Sequence, residues 1–270
     1  DRGIVPARGD LMATLQSEVI NGVGWLRVDN PERRNALTLA MWRAIPAEIR
    51  RFEETGVRVV VLTGTGDKAF ISGADISEFD KVRSTPTQVA DYEGAVREAE
   101  ASLRNTSLPT IAAVNGLCYG GGLGLAGSCD VRYASRSARF CMPAARLGLG
   151  YGIEGVEAFL SLLGPAALKE IFFTAEPFDA EYASRIGFVN RIFEADAFVD
   201  QVSQHVQTIA FNAPLTLRAL KTAIRALQQT EDASLKQNAL AAIQACFDSE
   251  DYREGRAAFA EKRRPSFKGR

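Results

Sequence analysis

Between Asn115 and Asp130 the chain reads "NGLCYGGGLGLAGSCD", with six glycines from Gly116 to Gly127, directly after the apolar run "TIAAV". No other stretch restricts the fold as much. A buried strand leads in, a short apolar helix leads out, and the backbone between them passes where side chains do not fit. Formally, "GLGLAG" (Gly122 to Gly127) matches G-x-G-x-x-G. A dinucleotide turn of that form needs a second strand ending in an acid about twenty residues further on. Here the next strand, "DVRYAS", starts within a few residues of Gly127 and ends in serine. A phosphate loop needs G-x-x-x-x-G-K-[ST], and the Lys221–Thr222 pair lies in a helical stretch instead. Neither nucleotide reading fits.

What remains is a strand, a glycine turn and the first turn of a helix. The first N–H groups of a helix have no internal partners and sit at the positive end of its dipole. Without Cβ atoms in the way, a ligand oxygen that gains negative charge can approach them, which is the physics of an oxyanion hole. Such holes commonly use two donors. A second glycine-containing turn, "AFISGADI" (Ala69 to Ile76), follows the strand "VRVVVLTGTG". Glycine chemistry alone also allows a plainer reading, two places where chain and helix pack closely.

Around these turns the pattern is that of an α/β protein. "TLQSEVINGVGWLRVDNP" is two alternating runs about Asn-Gly, a hairpin signal. Leu39, Trp42, Ile45, Ile49 and Phe52 recur at helical spacing. A long polar helix is expected over residues 87–105, and strands at "TIAAV", "DVRYAS" and "FVNRIF". From Ala195 to Arg264 the period is helical throughout, broken at Pro214 and "TEDA". Strands alternating with helices, followed by helices alone, predict an α/β body carrying a helical layer that docks on the body or on another subunit. Residues 1–11 read as a leader ahead of a natural start at Met12, residues 12–194 as the body and residues 195–270 as the helical region.

Several function classes fall away on composition. Thirty-two basic against thirty-three acidic residues give a net charge of −1, which offers no support for nucleic acid or a membrane surface as partner. No apolar run is long enough to span a bilayer. Cys118, Cys129, Cys141 and Cys246 have no CxxC spacing and the single histidine is His205, so no metal site is expected. Reduced cysteines buried as small apolar side chains fit a cytoplasmic protein.

The combination "NPERRNALT", "AFISGADISEF", "PTIAAVNGLCYGGGLGLAGSCDVRYAS", "PAARLGLGYGIEG", "FFTAEPFDAEYASRIGFVN" and "AFAEKRRPSF" resembles the crotonase superfamily, the enoyl-CoA hydratases and isomerases, from about Met12 to the end. The resemblance implies a spiral of ββα units with a C-terminal helical region that builds a homotrimer or a dimer of trimers. It implies an acyl-CoA thioester as substrate, with coenzyme A entering only as part of that substrate and no permanently bound cofactor. The oxyanion donors carry over to the backbone N–H groups of Ala74 and Gly121. Arg34, Ala36, Ala74, Asp75 and Ile76 become the CoA-side candidates. Phe259 and Lys262 are expected to reach the CoA of a neighbouring subunit, Lys262 as a phosphate partner, although a solvated helix charge would look the same.

The sequence departs from the hydratases where they do their acid–base work. Their two glutamates fall, in this chain, on Gly124 and Ala144. Glu154, where a glycine-rich turn becomes a helix, is the substitute carboxylate expected here; an acid in a first helical turn is also favoured by the dipole alone. Glu157 ranks behind it. Tyr151 is expected to orient a water or line the acyl pocket, Asp130 to be structural, and His205, read as a helix-surface residue, to carry no chemistry. One carboxylate suits double-bond isomerisation better than hydration. Decarboxylation, hydrolysis of a thioester or C–C bond, and CoA-thioester binding without turnover are the alternatives.

Overall fold

The computed structural model describes residues 13–228 and 232–270; the reading of residues 1–11 as a leader and of Met12 as the start lies outside them. The hairpin of β1 (Thr14–Ile20) and β2 (Val23–Asp29) turns at Asn21 and Gly22, both with positive φ (51° and 78°). This is the backbone a two-residue hairpin turn demands. Helix α1 (Leu39–Glu54) begins where the Thr38 hydroxyl accepts the Met41 N–H at 3.2 Å, and it buries Trp42, Ile45, Ile49 and Phe52. Next come β3 (Val59–Gly64), β4 (Ala69–Ile71), the short α2 (Phe79–Val82) and α3 (Pro86–Asn105). The series continues with β5 (Thr110–Val114), β6 (Leu117–Tyr119), α4 (Gly121–Ser128), β7 (Val131–Ser135), β8 (Arg139–Cys141) and α5 (Ile153–Thr174). After β9 (Phe178–Asp179), α6 (Ala180–Arg185) and β10 (Arg191–Phe193), only helices remain: α7 (Phe198–Phe211), α8 (Pro214–Gln228), α9 (Ala233–Asp248) and α10 (Glu250–Ala260).

Each strand–strand–helix unit divides its strands between two sheets. The first strands, β3, β5 and β7, join a six-stranded sheet ordered β1-β2-β3-β5-β7-β10. The second strands, β4, β6 and β8, build a four-stranded sheet ordered β4-β6-β8-β9. Within each sheet successive units pair in parallel, β3 with β5 and β5 with β7, β4 with β6 and β6 with β8. This is the α/β spiral of ββα repeats expected above. The sequence pattern showed the long first strands but not β4, β6 or β8, because three residues are too few to display a period of two.

Alternation along the large sheet divides the core. Val60 and Leu62 face α1 and α3, while Val59 and Val61 face Phe198, Val202 and Val206 of α7. His205 belongs to that second layer. It is half-buried, its Nδ1 lies 2.8 Å from the Gln201 carbonyl, and its ring sits 5.7 Å from Tyr133 and 5.1 Å from Phe193. The expectation of a helix-surface residue was therefore wrong: α7 turns this face onto the sheet. Cys118, Cys129 and Cys141 are buried as expected, but Cys246 is only half-buried.

Asp130 ties the body to the helical region. One carboxylate oxygen accepts the Thr110 N–H at 2.8 Å and the Lys221 ammonium of α8 at 2.7 Å. The same ammonium donates to the Leu108 carbonyl at 2.9 Å. Beyond that anchor, α8 and α9 leave Leu220, Ile224, Leu227, Leu240 and Phe247 between 48% and 70% exposed, while Leu217 is half-buried. Side chains of this size are rarely left in water over so contiguous a surface. The expected assembly is a trimer or a dimer of trimers, and light scattering at micromolar concentration measures it directly; a monomer would overturn the expectation.

Candidate active site

Parallel pairing of β4 with β6 sets two chain turns side by side at the carboxyl ends of neighbouring strands, where α/β proteins place their ligands. The first turn runs Ser72–Gly73–Ala74–Asp75. The second runs Tyr119–Gly120–Gly121. Gly73 (φ 116°) and Gly120 (φ 51°, ψ −115°) hold backbone conformations that side chains oppose. The two come close: a Cβ on Gly120 would lie 4.0 Å from the Gly73 Cα, and one on Gly73 would lie 4.0 Å from the Gly121 nitrogen.

The orientation of Ala74 follows from its pairing. Leu37 forms a parallel bridge to it, with the Leu37 N–H donating to the Gly73 carbonyl and the Asp75 N–H donating to the Leu37 carbonyl, both at 2.8 Å. In such a bridge the residue between the two bonded positions points its own N–H to the opposite side. Gly121 is the first residue of α4, so its N–H has no partner within the helix. The strand-like segment that fixes Leu37 is held by buried Asn35, whose Nδ2 donates to the carbonyls of Thr65 (2.9 Å) and Ala69 (2.7 Å).

Three side chains from elsewhere fill the room the glycines leave. A Cβ on Gly121 would lie 2.8 Å from the Trp42 ring, whose Nε1 donates to the buried Tyr92 hydroxyl at 3.1 Å. One on Gly155 would lie 2.5 Å from the Tyr151 ring, which packs edge-on at 5.0 Å against Phe172. One on Gly124 would overlap Glu100 Oε1 and lie 3.3 Å from the Tyr151 hydroxyl. Glu100, on α3, thus puts its carboxyl against position 124. Sequence reading missed it, since nothing separates it from the other acids of a polar helix.

Glu100 is 7% exposed. Among the described residues its carboxyl bonds only Arg104, through Oε2 at 3.5 Å, while Arg104 is engaged by the Ser128 hydroxyl at 2.7 Å. Burial raises its pKa; Arg104 opposes this, and the like charges of Glu93 and Glu154 reinforce it. Burial, then the Glu100 charge, also pushes the Tyr151 phenol far up. Glu154 itself is exposed in the first turn of α5, close enough for its charge to act on Glu100, and Glu157 one turn on is exposed too. Ala144 is buried and brings no polar group.

The structure sets Arg34, Ala36, Ala74 and Asp75 near one another through the pairing of the Arg34–Leu37 segment with Ser72–Asp75. Arg34 is exposed at positive φ (53°), its carbonyl accepting the Ser72 N–H at 3.2 Å, and Ala36 is buried beside it. Ile76 is 73% exposed. The carboxylate of Asp75 is turned inward, accepting from the Ser77 N–H (3.0 Å) and hydroxyl (2.7 Å) and pairing with Arg33 at 3.5 Å. Phe259 is 88% exposed at the end of α10 and Lys262 follows it at positive φ (52°). Among the described residues no hydrogen bond or ion pair joins either to the turns within one chain.

The sequence profile of the enoyl-CoA hydratase/isomerase family matches residues 18–270. The chain belongs to that family, within the crotonase superfamily. It is 34% identical over 251 residues to the short-chain-enoyl-CoA hydratase of Clostridium acetobutylicum, spanning 92% of this chain and 95% of that one. With the (E)-benzylidenesuccinyl-CoA hydratase of Thauera aromatica it shares 33% over 261 residues, covering 93% and 98%. The crystal structure of an enoyl-CoA hydratase/carnithine racemase from Magnetospirillum magneticum superposes with a TM-score of 0.90 at 34% identity, over 96% of this chain and 97% of that one.

A carboxyl whose folded pKa is raised costs stability wherever it is forced to ionise. That cost is absent below the ordinary glutamate range, near pH 4.5, and grows as pH rises through the shifted value. Glu100→Gln is therefore expected to be more stable than the parent at pH 7 to 8, the difference vanishing toward pH 4. Thermal melts across that range measure it; a variant that is less stable at neutral pH would show that the Arg104 pair outweighs the burial.

Proposed function

We propose that the protein converts an acyl-CoA thioester through an enolate whose oxygen is held by the N–H groups of Ala74 and Gly121. The observation that supports this most directly is the approach of Gly73 to Gly120 and Gly121, which brings the chain at Ala74 close to the start of α4. As a proton leaves the carbon next to the thioester carbonyl, the C–H electrons move onto the carbonyl oxygen. Both donors strengthen their bonds to that oxygen as its charge grows, lowering the barrier rather than merely binding substrate.

In this reading Glu154, solvent-facing at the start of α5, takes the proton, and Tyr151 lines the acyl side. Arg34, Ala36, Asp75 and Ile76 border the CoA path, with Asp75 contributing its backbone because its carboxylate is already occupied. Phe259 and Lys262 act across a subunit boundary, Lys262 toward a phosphate. With glycine at 124 and alanine at 144, neither usual hydratase glutamate is present, and moving a double bond is favoured over adding water. Those absences also support a second reading, a CoA-thioester binder without turnover. No metal or permanently bound cofactor enters the chemistry.

Gly121→Pro tests the hole. Proline suits the first position of a helix but has no N–H to donate. Turnover of a 3-enoyl-CoA is expected to fall at least about a hundredfold, roughly 2.7 kcal/mol, as for the loss of one oxyanion donor. Gly121→Ala keeps the donor and only crowds Trp42, so it should lose distinctly less. Equal losses in the two variants, with melting points and assembly matched, would remove Gly121 from the role. A parent that binds an unreactive acyl-CoA analogue by calorimetry yet turns over no enoyl- or malonyl-type thioester would leave the binder reading standing.

A further inference from the structure

Gly121 and Gly124 lie three residues apart on one face of α4, about 4.5 Å along its axis. A side chain at 124 would therefore leave the helix just below the oxyanion donor. No side chain does, yet that space is not empty: the Glu100 carboxyl reaches it from α3, with the Tyr151 hydroxyl beside it. One oxygen of a buried acid, Oε1, has no bonded partner among the described residues. Among the described residues the only fully buried side-chain atom without a partner is Arg225 Nε, so Oε1 keeps a path to solvent through which the acid can exchange its proton.

We propose that Glu100 is a second catalytic carboxyl, delivered from α3 to the place a side chain at position 124 would occupy, and that it returns a proton to the substrate enolate. The proposal rests on the acyl-CoA reading above. In the step, the Glu100 O–H bond breaks and its electron pair stays on the carboxylate. The proton forms a C–H bond at the far carbon of the dienolate while the thioester carbonyl re-forms and the double bond moves. Glu154 has already released one substrate proton to solvent, and Glu100 regains one from solvent, so the reaction is an isomerisation with no net change in protons or electrons. Arg104, bonded to Oε2 at 3.5 Å, supports the transient carboxylate. Burial raises its pKa, which favours the protonated form that a proton donor needs.

The test uses a 3-enoyl-CoA in deuterated water, read by mass spectrometry. In Glu100→Gln, deuterium should still enter next to the thioester, since Glu154 remains, while double-bond migration falls at least a hundredfold. Migration at the parental rate would overturn the proposal. So would loss of exchange together with migration while an acyl-CoA analogue still binds, since Glu100 would then serve the first step. The carboxyl can also be moved. Glu100→Ala removes it and clears the space, and Glu100→Ala with Gly124→Glu restores a carboxyl from α4. Recovery of at least tenfold over Glu100→Ala is expected; no recovery in a folded, analogue-binding double variant overturns the proposal. Should Glu100→Gln fail to fold, this exchange of positions decides alone. A parent protein that neither binds nor exchanges acyl-CoA would instead defeat the acyl-CoA reading, before any variant is made.

Discussion

The site depends on how closely the α4 backbone approaches its neighbours. A Cβ on Gly122 would overlap the Ile71 carbonyl of β4, so the helix can lie against that strand only if position 122 carries no side chain. The contact fixes the start of α4 relative to the end of β4, and the parallel pairing of β4 with β6 fixes the turns that follow them. In the proposed reading the N–H groups of Ala74 and Gly121, on separate chain segments, share one target and are held there by backbone pairing and by the buried Asn35. Donors held this rigidly need no reorganisation when charge develops, which is the property an oxyanion hole requires.

The same absence of side chains has a second use. Each of three glycines, Gly121, Gly124 and Gly155, lodges a large or charged group from elsewhere: Trp42, Glu100 and Tyr151. The floor of the site is glycine backbone and its functional walls come from α1, α3 and the approach to α5. Under the proposal above, the acid comes from α3 in place of α4, while the glycine backbone of the turn needs no change.

The departure from the usual pair of glutamates acquires a physical account in this way. A Cβ at position 124 would lie 2.4 Å from Glu100 Oε1, so a side chain there requires the Glu100 carboxyl to swing aside. Ala144 has no such replacement, as it is simply buried, and Glu154 is exposed at the start of α5.

Much of this was written in local sequence. Asn21-Gly22 fixed the hairpin because its backbone needs two positive φ values; the spacing of Trp42, Ile45, Ile49 and Phe52 fixed which face of α1 is buried. The two glycine turns were visible because glycine is the residue that tolerates their conformations. The missing glutamates were visible because they are particular positions in recognisable motifs. The short strands β4, β6 and β8 were not legible, being too brief for a period, and their sheet forms only when the units stack. His205 read as surface because one helix face cannot announce what lies beneath it. Glu100 was beyond the reach of sequence for the same reason: among Glu93, Arg97, Glu98 and Arg104 it is one charge of a polar helix. Only the packing of α3 across α4 decides that this charge, and not its neighbours, is buried against a glycine.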